Sequence, residues 1–177
     1  MLINIIGFQL GWFSCILGSA YQLPWLGVLS AAIILLAHTA RSQHWPSEVS
    51  LLLAAMFIGL IFDAMALNLG WITFMPVSYW PSALPPPWMI MLWALFASTM
   101  NSSLSWLKPR LWLAILLGAI AGPMCYWAGA KLGALKITDL KFAMVYLSVG
   151  WAIILPTMLK IASLTNHRHV HWPWVSE

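Results

Sequence analysis

The chain has 177 residues, 62% of them hydrophobic and only 7% charged, with a formal net charge of +4. A soluble domain carries about a quarter charged residues, so this composition cannot cover a water-facing surface. Together with a mean hydropathy of +0.87 it points to an all-α, polytopic integral membrane protein with no soluble domain. The basic residues are scattered through short connections and form no basic-aromatic groove, which excludes nucleic acid and assigns them to the lipid surface.

Six apolar runs are long enough to cross a hydrocarbon core, which takes about 20 helical residues. They cover 3–20, 23–40, 49–69, 87–106, 111–130 and 142–164. Helix is the expected spanning form, because barrel strands would show polar residues at every second position. The expectation is one compact bundle of six transmembrane helices, a single domain over 1–177 with a short interfacial or cytoplasmic tail at 165–177. The first run, MLINIIGFQLGWFSCILGSA, has the length of a signal peptide and ends on small residues. It lacks the basic start of a cleaved signal, so it reads as a retained span.

Only Tyr21 and Gln22 separate the first two runs, and Pro24 follows closely, which predicts a tight helical hairpin. Ahead of the third run, Ser47 is the expected N-cap, and Glu48 falls in the first turn where the helix dipole favours a carboxylate. The stretch 70–87, with Trp71, Trp80, Pro81 and three prolines at 85–87, cannot be helical throughout and is expected along the membrane interface. No internal repeat or low-complexity tract stands out. With six spans, Arg41, Lys108, Arg110, Lys160 and Arg168 share one side, against Lys131, Lys136 and Lys141 on the other. The positive-inside rule then puts both termini in the cytoplasm.

Small residues recur at helical spacing: Gly7, Gly11, Ser14 and Gly18; Ala55, Gly59, Asp63 and Gly70; Ala114, Gly118, Gly122, Cys125, Gly129 and Gly133. Lipid offers no hydrophobic drive for helix association, so such stripes mark close backbone approach. Packing within the chain is the first expectation for them, and a homo-oligomer face the second. Cys15 and Cys125 lie in apolar segments without metal-ligand spacing and are expected to be packing residues.

Asp63 is the one charged residue in the third run. A carboxylate at that depth costs several kcal/mol if ionised and unpaired, so it requires a partner, a proton or a task. It follows Gly59 by four positions and therefore shares the packed face. Tyr126, Tyr146 and Lys131 are the possible partners. Two readings stand side by side: a hydrogen-bonded Asp that holds helices together, or a proton, cation or ligand site.

A second polar group is expected near the opposite face, from His38, Glu48 and a fourth-span stripe of Ser98, Asn101, Ser102 and Ser105. Glu48 and His38 have the chemistry of a base and its orienter, although near span ends water would satisfy each cheaply. The tail holds His167, Arg168, His169 and His171 beside Trp172 and Trp174, an expected interfacial anchor rather than a metal site. Nothing resembles a P-loop, a dinucleotide fingerprint, a zincin helix or a nucleophile elbow, so no cofactor or metal is expected.

Four stretches together carry a family likeness: FQLGWFSCILGSA, GLIFDAMALNLG, PPWMIMLWALFASTMNSSLSWL and GAIAGPMCYWAGAKLGAL. They resemble the bacterial inner-membrane family known as domain of unknown function 2878. The resemblance implies a small multi-span inner-membrane protein with no assigned activity, in the company of enzymes of fatty-acid or envelope-lipid modification. It transfers no catalytic residue. Asp63, Glu48, Asn101 and His38 are the candidate functional positions.

Three functions follow in order of preference. The first is a non-catalytic accessory or scaffold in envelope-lipid metabolism, whose partners are the bilayer and other inner-membrane proteins. The second is a small transporter or substrate-binding subunit that uses Asp63 as an ion, proton or ligand site. The third is an intramembrane lipid-modifying enzyme, disfavoured because about 15 Å of helix separates the two polar groups.

Overall fold

The computed structural model of the chain describes residues 1–78 and 80–167, the last two by backbone alone. Six α-helices dominate it: α1 (Leu2–Ala20), α2 (Pro24–Ala40), α3 (Trp45–Asn68), α4 (Pro87–Ala97), α5 (Leu111–Lys131) and α6 (Leu140–His167). Two short strands, β1 (Ile72–Phe74) and β2 (Leu135–Ile137), follow α3 and α5. Helices α1, α3, α5 and α6 are each long and apolar enough to cross a membrane.

The other two helices are shorter, 17 residues in α2 and 11 in α4. At 1.5 Å per residue α4 extends roughly 17 Å, well short of a hydrocarbon core of about 30 Å. The fourth span expected over 87–106 is therefore corrected. Helix ends at Ala97, turns follow, and a 3-10 turn occupies Ser105–Leu107. The cause is local. The Ser98 and Thr99 hydroxyls donate to the carbonyls of Leu95 and Phe96 at 2.7 and 2.6 Å, and the polar run after them competes with helical backbone bonding. Asn101 and its neighbouring serines accordingly sit on turns and form no helical stripe.

Proline opens α2, α3 and α4, where its missing N–H costs nothing. In α3 this moves the start ahead of the expected position. His44 is the N-cap, and Ser47, expected in that role, lies inside the helix with its hydroxyl donating to the Thr165 carbonyl of α6 at 3.2 Å. The α1–α2 hairpin forms as the short connection predicts. Gln22 takes a φ of 62° in the turn, and Gly27 lets α2 approach so near that a Cβ there would lie 2.6 Å from Cys15 Cα.

Stretch 70–87 does more than run along a surface, because β1 pairs antiparallel with β2, Thr73 opposite Lys136. Both helices ahead of the strands stop on a left-handed glycine, Gly70 at φ 73° and Gly133 at φ 89°. The ribbon brings the C-terminal ends of α3 and α5 together, so these helices run parallel, and α4 and α6 return antiparallel to them.

Here the structure overturns the absence of a repeat. Asp63 and Tyr126 are 63 residues apart, and the same offset relates Gly59 to Gly122, Leu69-Gly70 to Leu132-Gly133, and β1 to β2. Gly59 faces the Trp93 ring of α4 and Gly122 faces the Trp151 ring of α6. Those two indoles stack on each other, centroids 4.8 Å apart and planes at 8°. The segments α3–β1 and α5–β2 thus match at one offset, while the helices after them, 11 residues in α4 and 28 in α6, do not keep it; the two units so begun meet at the ribbon and at the stacked tryptophans. The α1–α2 hairpin packs on α4. The glycine stripes serve contacts within the chain: a Cβ on Gly11 would meet Leu95, and one on Gly118 would lie 2.2 Å from the Trp151 carbonyl oxygen.

Candidate functional site

Helix α3 carries Gly59 and Asp63 one turn apart toward α4. A Cβ at Gly59 would lie 2.1 Å from Trp93 Cγ, so only glycine lets the indole rest against the helix. From that position Trp93 Nε1–H donates to Asp63 Oδ2 at 2.7 Å. The Tyr126 hydroxyl, from α5, donates to Oδ1 at 2.5 Å. Asp63 is 0% exposed, and each of its carboxyl oxygens holds one donor.

Of the three partners expected for Asp63, the fold supplies Tyr126. Tyr146 stacks on neighbouring Phe62 with centroids 4.6 Å apart and donates to the Phe62 carbonyl at 2.8 Å. Lys131 lies in the last turn of α5, its ammonium 5.4 Å from the Trp127 ring centroid. Five positions along a helix turn through about 140°, so a face that aims Tyr126 inward sends Lys131 elsewhere. Trp93 was missed by sequence reasoning. Its signal is the pairing of Gly59 with Asp63, which leaves a flat recess beside a carboxyl that needs a donor. The two units differ at this point, since the buried Trp151 indole N–H has no hydrogen-bond partner among the described residues.

Trp93 and Tyr126 also border a groove of about 320 Å³ between α1 and α5, with α4 and α6 beneath it. Phe8, Trp12 and Ile16 form one wall, Leu117, Ala121 and Cys125 the other, and Phe96 and Trp151 part of the floor. Both cysteines are free thiols. Cys15 is buried as expected, its Sγ 3.5 Å from the Gly27 carbonyl oxygen. Cys125 is exposed on the groove, which corrects its assignment to packing.

The second polar group assembles at the other end of the bundle, where α2 ends, α3 begins and the turns after α4 return. Glu48 Oε1 accepts from Asn101 Nδ2 at 2.7 Å, Glu48 Oε2 lies 3.3 Å from His38 Nε2, and Lys108 Nζ donates to Asn101 Oδ1 at 2.6 Å. Glu48 is buried, so these side chains satisfy it where bulk water was the expectation. Lys108 joins from outside the helices. Burial holds its ammonium below the ordinary lysine range, and the Glu48 charge pulls the other way.

Glu48, Asn101 and His38 border a chamber of about 510 Å³ together with Asn4, Arg41, Ser98 and Ser102, and Met1, Ile3, Ile34 and Ala37 supply an apolar part of its lining. Ser105, expected among them, is exposed and bonds the Ser102 carbonyl. Along α3 the Glu48 and Asp63 carboxylates stand roughly 22 Å apart, further than the spacing inferred from the sequence. Among the described residues no group of three His, Cys, Asp or Glu converges. The tail reading of His169 and His171 lies outside the described residues, as does the His167 side chain.

A family match covers residues 1–157 and so includes every candidate position in both polar groups. The chain belongs to the family described as Protein of unknown function (DUF2878). No curated protein and no solved structure matches it. The family description assigns no chemistry.

Proposed function

We propose that this protein is a non-catalytic component of a bacterial inner membrane, linked to envelope-lipid metabolism, that binds the hydrocarbon chain of a lipid in the groove between α1 and α5. In this reading all six helices lie in the bilayer, with α2 and the short α4 completing the bundle and both termini cytoplasmic. The groove carries the proposal. It is about 320 Å³ in volume, walled by Phe8, Trp12, Ile16 and Leu117, and bounded by helices apolar enough to sit in hydrocarbon. An apolar chain can fill such a space without stranding a polar group, whereas a polar solute would lose its hydrogen bonds there.

Catalysis is disfavoured because the one carboxyl near the groove already holds two donors. The distant Glu48 cannot reach the same substrate atom. Cys125 supplies the test. Alkylation of Cys125 by N-ethylmaleimide is expected to slow several-fold when a diacyl phospholipid is added to detergent-solubilised protein. Ala121→Trp, which fills the groove from an exposed position, should abolish that protection while the protein stays folded. Identical alkylation rates with and without lipid would remove the proposal.

Transport is the second reading, with Asp63 as the ion or proton site. The internal repeat favours it, because transporters built from repeated units place their sites at the repeat interface, and the Asp63–Tyr126 bond bridges the two units. Proton-dependent uptake into vesicles, lost in a folded Asp63→Asn variant, would promote this reading over the first.

A further inference from the structure

The chamber at the far end of the bundle is not part of the groove. None of the residues that border it borders the groove. It is not a leftover of packing either. It costs the fold a buried carboxylate, which persists at a membrane-bundle end only if paired and hydrogen-bonded. Asn101 and His38 provide those bonds, and Lys108 braces Asn101 from outside.

An ionised carboxylate offers about four acceptor sites, and two donors reach Glu48. Acceptor capacity therefore remains on a buried anion that borders a cavity of about 510 Å³. Arg41 borders the same cavity and is exposed. The chamber thus presents an anion in its wall and a guanidinium at its mouth. A free anion would meet Glu48 repulsion inside, and a simple cation would leave Arg41 unused.

We propose that this chamber binds a zwitterionic amine–phosphate group, with the primary ammonium donating to Glu48 and the phosphate held by Arg41. Two features narrow the amine. A primary ammonium has three N–H donors for the free carboxylate lone pairs, and charge-assisted bonds of this kind are the strong ones. A quaternary ammonium has none and relies on aromatic faces, yet among the described residues no Phe, Tyr or Trp borders the chamber. The guanidinium matches phosphate through its planar donor fork. A phospholipid ethanolamine headgroup and soluble phosphoethanolamine share this chemistry.

The test uses the full chain in detergent, with native mass spectrometry of retained lipid. Phosphatidylethanolamine should be retained about ten-fold more than phosphatidylcholine or phosphatidylglycerol of the same acyl chains, in line with the loss of a charged hydrogen bond. Glu48→Gln keeps the volume and should erase the preference for ethanolamine over choline. Arg41→Gln, at an exposed position that leaves the fold intact, should weaken ethanolamine and choline lipids alike. Displacement of the lipid by millimolar phosphoethanolamine would support the site and assign a soluble ligand, while resistance to it would support the site and assign the headgroup. Equal retention of the three lipids by the unaltered protein, with no binding of phosphoethanolamine, would overturn the proposal. Cys125 protection is unaffected by that result, so the groove and the chamber fail separately.

Discussion

Asp63 separates a structural from a functional use of a deep carboxyl, and substitution can decide between them. Asp63→Ala removes the acceptor of both Trp93 Nε1–H and Tyr126 O–H. Each donor is then left in a dry site at a cost of about 1–3 kcal/mol, so the variant should lose about 2–6 kcal/mol before any cavity is counted. Tyr126→Phe removes one donor to a buried acid and should cost about 1.5–3 kcal/mol. Combined with Asp63→Ala it deletes one of the stranded groups, so the double variant should be more stable than the sum of the single losses implies.

Asp63→Asn is the informative intermediate. Its Oδ1 can accept from Trp93 while its Nδ2 donates to the Tyr126 oxygen, a reversal open to a hydroxyl but closed to an indole. The loss should then stay within about 1.5 kcal/mol, near one ordinary hydrogen bond. Equilibrium unfolding in bicelles, read for all four variants, gives the cycle. An Asp63→Ala midpoint equal to that of the unaltered protein would refute the reasoning and hand Asp63 back to a functional role.

Other substitutions have defined outcomes in the same unfolding assay. Gly59→Ala drives a methyl into the Trp93 ring and should cost about 1–3 kcal/mol by overpacking, whereas Gly7→Ala, with Ile34 at an ordinary 3.4 Å, should change little. Asn101→Ala strips one donor from Glu48 and the acceptor from Lys108, so a destabilisation of about 1–3 kcal/mol is expected. Under native conditions maleimide should modify Cys125 alone, with Cys15 reacting only after denaturation; intact-mass measurement of one adduct against two checks this.

The helices were legible because apolar runs and first-turn prolines act locally. Gly59 and Asp63 at i and i+4 also placed the carboxyl on a packed face, and depth put Tyr126 among its three possible partners. What escaped notice depended on pairing between distant segments. Trp93 becomes a donor only once α4 lies against Gly59, and three-residue strands such as Ile72–Phe74 have no period to detect. The repeat escaped for a related reason. Its matching positions are a few glycines and leucines in a sequence already crowded with both, and its two central residues, Asp63 and Tyr126, have different chemistry. The early end of α4 was misjudged because hydropathy registers Met100 and Leu104 but not the hydroxyls that turn back on the helix at Ser98 and Thr99.

The unlike residues at the centre of two like units bear on which polar group does chemistry. A pair of identical acids facing each other across the repeat would repel, and a pair of tyrosines would need no acid at all. Asp63 against Tyr126 instead makes one donor meet one acceptor at the seam, with Trp93 filling the remaining oxygen. Such a seam gains little from water and loses a hydrogen bond if a ligand enters, which suits a joint between two halves. Glu48 has the opposite situation: its two partners, His38 and Asn101, come from separate segments, its lone pairs are not all used, and a cavity opens beside it. A ligand there adds bonds without breaking any. Under the proposal above, the count of a carboxyl's unused acceptor sites is a better guide to ligand binding than its place along the helix, and Glu48 is the acid with sites to spare.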